Sequence, residues 1–130
     1  MELSQETFDF LASCVFITAF FGFLTVAPLW LILTFLTPKK VLENYFKEPY
    51  FQSNEIDLMS SFPISLLRTG IFGWVTLIPS LDTKRGIRDC HKLMPKWYKL
   101  LIFLWCLIGI LTFIITVPGL IFLSNVTIVN

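Results

Sequence analysis

The sequence predicts an all-α integral membrane protein, a two-span transmembrane helical hairpin with amphipathic and interfacial helices in its connecting cytoplasmic segment. Three observations lead there. The 130-residue chain is 55% hydrophobic and only 15% charged, with a mean hydropathy of +0.76, whereas soluble domains run at about 45–50% apolar and about 25% charged. Two stretches, 10–37 and 100–123, hold no charged side chain, and each exceeds the roughly 20 residues that cross a hydrocarbon core. All ten Lys and Arg lie between Lys39 and Lys99, and basic loops stay on the cytoplasmic side of a membrane.

These observations divide the chain into a short outward tail over 1–9, a first span over 10–37 and a basic membrane-associated segment over 38–95. A second span over 96–123 and a short outward tail over 124–130 follow. The expected compartment is a bacterial inner membrane, with both termini outward. The net charge of +1 hides a split, because Glu2, Glu6 and Asp9 lie before the first span while the middle holds every cation. An acidic N-terminus does not suit a secretory signal, which needs a positive n-region. Pro28 frees a backbone carbonyl near the inner end of the first span and bends it.

The second span is announced by Lys96, Trp97, Tyr98 and Lys99, a charged and aromatic group of the kind that anchors a helix at headgroup level. The stretch 62–81 is also apolar, but it contains Arg68, two prolines and two glycines. A crossing there would carry Lys84 through Lys99 outside, against the positive-inside rule, and would place Arg68 in the bilayer at about 2.5–3.5 kcal/mol. The stretch therefore reads as one or two interfacial helices, with Arg68 reaching headgroups or paired with an acid.

In the connecting segment, Thr37 and Pro38 read as an N-cap and first position of a helix on which Val41, Leu42, Tyr45 and Phe46 share one face. Glu48-Pro49 ends it. Asn54, with Asp57 three residues on, marks a second start. Farther along, Arg85, Arg88, Lys92, Lys96 and Lys99 are spaced by three, four, four and three residues. On one helix they form a stripe, opposite Ile87, Cys90, Met94 and Trp97. Such a stripe, with Arg68, suits anionic headgroups of the inner leaflet; nucleic acid is not an expected partner.

Small and weakly polar residues recur within each span: Cys14, Thr18, Gly22 and Thr25 in the first, and Gly109, Thr112, Thr116 and Gly119 in the second. These two faces are expected to meet, with hydroxyls bonding across the helices and position 18 lying near Thr116. Leucine at Gly22 or Gly109 is then expected to push the spans apart. Phe16, Phe20, Phe23, Trp30 and Trp105 are left for lipid or a partner.

Chemistry is sparse. The lone histidine, His91, adjoins Cys90, but neighbours diverge on a helix, and zinc needs three or four ligands. No phosphate-binding glycine loop, nucleophile elbow or zinc-protease helix is present, so no catalytic residue, metal or cofactor is called for. The Asn125-Val126-Thr127 triplet is read as a chance match to a glycosylation acceptor. The expectation is a non-enzymatic accessory or assembly subunit of a larger membrane complex, partnered by lipids and by other membrane subunits or copies of itself. The alternatives are a homo-oligomeric pore or transporter-like protein, and a binder of a lipid or other lipophilic ligand.

Overall fold

The computed structural model describes residues 2–82 and 84–129. A strand β1 (Glu2–Ser4) leads into α1 (Gln5–Phe35), and three shorter helices follow: α2 (Lys39–Tyr45), α3 (Ser53–Ser60) and α4 (Ser65–Leu77). Two 3-10 turns, Pro79–Leu81 and Arg88–Leu93, precede α5 (Lys96–Ser124) and strand β2 (Thr127–Val129). The protein is mostly helical, and α1 and α5 are each long and apolar enough to cross a membrane. By contrast α4, with 13 residues, extends only about 20 Å at about 1.5 Å per residue, short of a hydrocarbon core of about 30 Å.

One departure from an all-helical chain lies at the tails. β1 and β2 pair in parallel, Glu2 beside Thr127 and Ser4 beside Val129. The β-branched run Thr127-Ile128-Val129 favours an extended backbone, and pairing satisfies main-chain groups that two lone tails would leave open.

The chain forms two compact units, one built from residues up to Ala27 and from Cys106 onward, the other Pro28–Trp105. In the first unit the two helices run antiparallel. A Cβ on Gly22 would overlap the side chain of Thr112, 2.8 Å from its Cβ, and one on Gly119 would lie 2.5 Å from Val15 Cγ2. Seven residues back on α1 thus match seven forward on α5, a register that sets Thr18 across from Thr116. Glycine is needed at both positions because the backbones approach too closely for a side chain.

The contacting face of α1 differs from the one expected. Cys14 and Thr25 are exposed, whereas Val15, Thr18, Ala19, Gly22 and Val26 are half-buried, a stripe rotated by roughly 60° around the helix. Packing accepts apolar Val15 and Val26 as readily as small polar residues, and Cys14 and Thr25 lie outside the contact. Nor do the hydroxyls bridge the helices. Thr18, Thr25 and Thr112 each donate at 2.8 Å to a carbonyl one turn back in their own helix, the nearest acceptor in an apolar setting. Thr116 Oγ1 is buried with no partner among the described residues. Gly109 has nothing within 4 Å of its Cβ position and borders a groove of about 290 Å³ with Ala19, Phe113 and Val117.

The second unit has a core of its own. Leu33, Val41, Phe51, Phe72, Ile87, Cys90, Tyr98 and Ile102 are almost fully buried, with Val75 and Met94 beside them. These residues come from the end of α1, from α2, from Phe51 ahead of α3, from α4, from the stretch Ile87 to Met94 and from the start of α5. α4 lies against this core through Ser65, Thr69, Phe72, Gly73 and Val75, so it is a packed helix on one face rather than one resting wholly on an interface. Trp30 and Trp105 meet at an interplanar angle of 45° with ring centroids 5.3 Å apart instead of both turning outward. Phe16, Phe20 and Phe23 are exposed.

Helix ends also differ from expectation. Thr37 does not cap α2: its hydroxyl donates back to Leu33 O and Thr34 O, each at 3.0 Å, and Pro38 stands at the N-cap. The last carbonyls of a helix lack internal donors, and Thr37 serves those of α1. Tyr98 helps, its hydroxyl donating to Leu33 O at 2.8 Å and lying 3.2 Å from Thr37 Oγ1. α3 is entered from Gln52, whose backbone N–H is taken by Glu55 at 3.0 Å; among the described residues Asn54 Oδ1 accepts only from the adjacent Glu55 N–H. Glu55 rather than Asp57 is therefore the carboxylate of that helix start.

Two outcomes follow from this packing. Gly22→Leu is expected to destabilise the helix pair by about 1–3 kcal/mol through overpacking and to abolish intrachain crosslinking of cysteines at 18 and 116. Gly109→Leu, which fills open space, should leave both the melting temperature and the crosslink near wild type. Tyr98→Phe should cost about 1 kcal/mol for the lost hydrogen bond, and Tyr98→Ala about 3–5 kcal/mol for the cavity. A Tyr98→Phe variant as stable as wild type in denaturant unfolding would show that the hydroxyl contributes nothing.

Candidate functional site

The five cations Arg85, Arg88, Lys92, Lys96 and Lys99 do not form one helical stripe. Gly86 adopts φ +74°, a conformation that suits glycine, and breaks the chain between Arg85 and buried Ile87. The 3-10 turn over Arg88–Leu93 then repeats every three residues, and Pro95 separates it from α5. Ile87, Cys90 and Met94 do turn inward, but Trp97 is half exposed.

Arg85 is committed to its own unit. Its guanidinium meets the Glu55 carboxylate with two bonds, at 2.9 and 2.8 Å, and lies 4.8 Å from the centre of the Phe51 ring. Those bonds hold the Glu55 carboxyl well below its usual range, at about 2, and raise the Arg85 pKa further. Lys92 pairs with Asp89 at 2.7 Å on an exposed turn, and the contact pulls the Asp89 pKa down. Arg88 and Lys96 are exposed and Lys99 is half-buried, with no ion pair among the described residues.

Arg68, expected at headgroups or beside an acid, has instead an aromatic partner. Its Cζ lies 5.0 Å from the centre of the Phe46 ring, a cation–π distance, and its Nε is buried with no partner among the described residues. Burial lowers its pKa. Periodicity places Phe46 on the apolar face of α2, but its meeting with Arg68, 22 positions on, depends on the tertiary fold.

Beside α4 lies a groove of about 520 Å³. Trp30, Trp74 and Trp105 wall it, and Asp82, Lys84 and Arg85 also line it. Trp30 is fixed by its indole N–H, which donates to Leu66 O at 3.0 Å. Asp82 Oδ1 accepts from the Arg85 backbone N–H at 3.0 Å, while Oδ2 has no partner among the described residues. Lys84 is exposed and makes no ion pair among the described residues. The volume falls within the range of small-molecule sites, about 300–1,000 Å³. Sequence reasoning did not find this groove, because its walls are drawn from residues 30, 67–87 and 105.

No three His, Cys, Asp or Glu side chains converge as a metal site among the described residues. His91 Nδ1 lies 2.8 Å from Arg88 O. Cys90 is fully buried, and burial pushes its thiol up to about 11, which keeps it protonated and unreactive near neutral pH. Neither a protein-family model, a curated protein nor a solved structure matches the chain.

The Glu55–Arg85 pair has a pH signature. A carboxyl lowered from 4.5 to about 2 contributes stability that is present above about 4.5 and is lost as pH falls through about 2. Carboxyl-carbon NMR should give Glu55 a midpoint near 2, and amide exchange at Gly86 and Ile87 should accelerate over the same fall. In Glu55→Gln the exchange should be fast already at neutral pH; unchanged protection there would detach this pair from the turn.

Proposed function

We propose that the chain is a membrane-embedded hairpin, with α1 and α5 as spans and the basic segment on the cytoplasmic face, acting as a non-enzymatic accessory or assembly subunit of a larger membrane complex. The orientation rests on the confinement of every Lys and Arg to 39–99 and on the positive-inside rule. Lys39, Lys40, Lys47, Lys84, Arg88, Lys92 and Lys96 remain exposed after folding, as cations must be to act at a membrane surface.

The observation that carries the accessory role is an apolar ridge outside both long helices. Across the joint between α3 and α4, Leu58 is 56% exposed and Phe62 63%, and Ile64 is exposed with them. Exposed apolar groups clustered in this way mark contact with a protein or a membrane. A segment that has its own buried core does not need to leave them outside, so the ridge is read as a docking face for a larger subunit. The groove beside Gly109 supports a second reading, self-association in the bilayer, because small residues there leave room for another helix to approach.

The test is purification in nanodiscs followed by mass measurement. The wild-type chain is expected to bring stoichiometric partner subunits, and the variant with Leu58→Ser and Phe62→Ser should remain in the membrane yet lose them. A defined homo-oligomer unaffected by that variant would replace the accessory role with self-association. A monomer without protein partners would overturn both.

A further inference from the structure

We propose that the groove beside α4 is a binding site for one glycerophospholipid with an amine-bearing headgroup, its acyl chain lying along Trp30, Trp74 and Trp105. The inference rests on the reading of α1 and α5 as membrane spans, but not on the accessory role.

Three features define the occupant. The first is the rim: Leu67, Trp74 and Leu81 are 55%, 43% and 56% exposed, and all three line the groove. An open apolar rim is unfavourable in water but suits a groove that opens on hydrocarbon. The second is position. Trp30 lies five residues before the end of α1 and Trp105 nine residues after the start of α5, both in the half of the helix that joins the basic segment, which puts the groove at the depth of one leaflet's hydrocarbon. An acyl chain from the adjoining leaflet therefore reaches the groove without leaving the membrane.

The third feature is charge. Of the charged groups that line the groove, Arg85 is neutralised by its two bonds to Glu55. Lys84 and Asp82 are left, a cation and a carboxylate that both line the groove and make no ion pair among the described residues; Asp82 Oδ2 is itself buried, so it is the uncompensated charge of Asp82 that faces the occupant. A phosphate answers the ammonium of Lys84 by charge-assisted hydrogen bonding, and a headgroup ammonium answers Asp82. Phosphatidylethanolamine carries both groups. Phosphatidylglycerol brings no cation for Asp82, and the quaternary amine of phosphatidylcholine has no N–H to donate.

The experiment uses the full chain reconstituted into vesicles of equal phosphatidylethanolamine, phosphatidylglycerol and phosphatidylcholine, extracted in mild detergent and weighed by native mass spectrometry. One phosphatidylethanolamine per chain is expected, enriched about tenfold over the other two, which corresponds to about 1.4 kcal/mol. Gly70→Leu, which places bulk in the groove, should lose the lipid. Gly70→Ala should keep it, since the added Cβ makes an ordinary 3.8 Å contact with Trp30 Cζ2, and this variant controls for folding. Lys84→Gln should weaken retention of all three lipids, and Asp82→Asn should erase the preference for ethanolamine while keeping an acceptor for the Arg85 N–H.

A wild-type chain that resists alkaline carbonate extraction yet carries no lipid overturns the groove assignment alone. A chain released by carbonate and free of lipid overturns the membrane reading with it. Undiminished lipid in both Gly70→Leu and Lys84→Gln places the lipid elsewhere, and enrichment of phosphatidylglycerol overturns the amine-bearing headgroup.

Discussion

The connecting unit depends on how α1 ends. Its last turn presents carbonyls that no further helical N–H can reach, and the carbonyl of Leu33 is buried among apolar side chains. Tyr98, from the first turn of α5, donates its hydroxyl to that oxygen, and Thr37 contributes the second donor. A buried carbonyl without such donors costs free energy comparable to a lost hydrogen bond. The two hydroxyls therefore fix where α1 stops and where α5 starts, and the core residues Leu33, Val41, Ile102 and Tyr98 assemble around that junction.

Once that junction is set, the fate of each cation follows from what lies beside it. Arg85 faces Glu55 and Phe51, so it ties the turn at Gly86 to α3 and is removed from the surface charge. Arg68 lies over Phe46, where a quadrupole rather than a carboxylate balances part of its desolvation. Lys84, one position from Arg85, has no such partner among the described residues and stays exposed. Spacing in sequence treats these three as equivalent positive charges; packing gives them three different roles.

The antiparallel pairing in the other unit shows the same division between pattern and contact. Gly22 and Gly119 are close-approach positions, because Thr112 and Val15 occupy the space a side chain would need. Gly109 belongs to the same repeating pattern, yet it opens on a groove. A spacing of three and four residues identifies a face of a helix, but how tightly each residue on that face is met depends on the opposite helix.

By itself the sequence determined what one-dimensional properties can encode: the two long apolar helices, the confinement of every Lys and Arg to 39–99, the apolar face of α2 and the inward turn of Ile87, Cys90 and Met94. Each rests on local composition or periodicity, which does not depend on a distant partner. Only the tertiary structure decided the Glu55–Arg85 pair, the seat of Arg68 on Phe46, the capping of α1 by Thr37 and Tyr98, and the groove between Trp30, Trp74 and Trp105. Thr37 reaches back only three and four positions, but the other contacts join residues 22 to 75 positions apart in the chain, and their partners are selected by a shared buried core and by the need to satisfy buried polar groups. The broken basic stripe shows the limit most directly: its spacing is helical, but the backbone at Gly86 and Pro95 is not, and side chains share a face only when the backbone between them is regular.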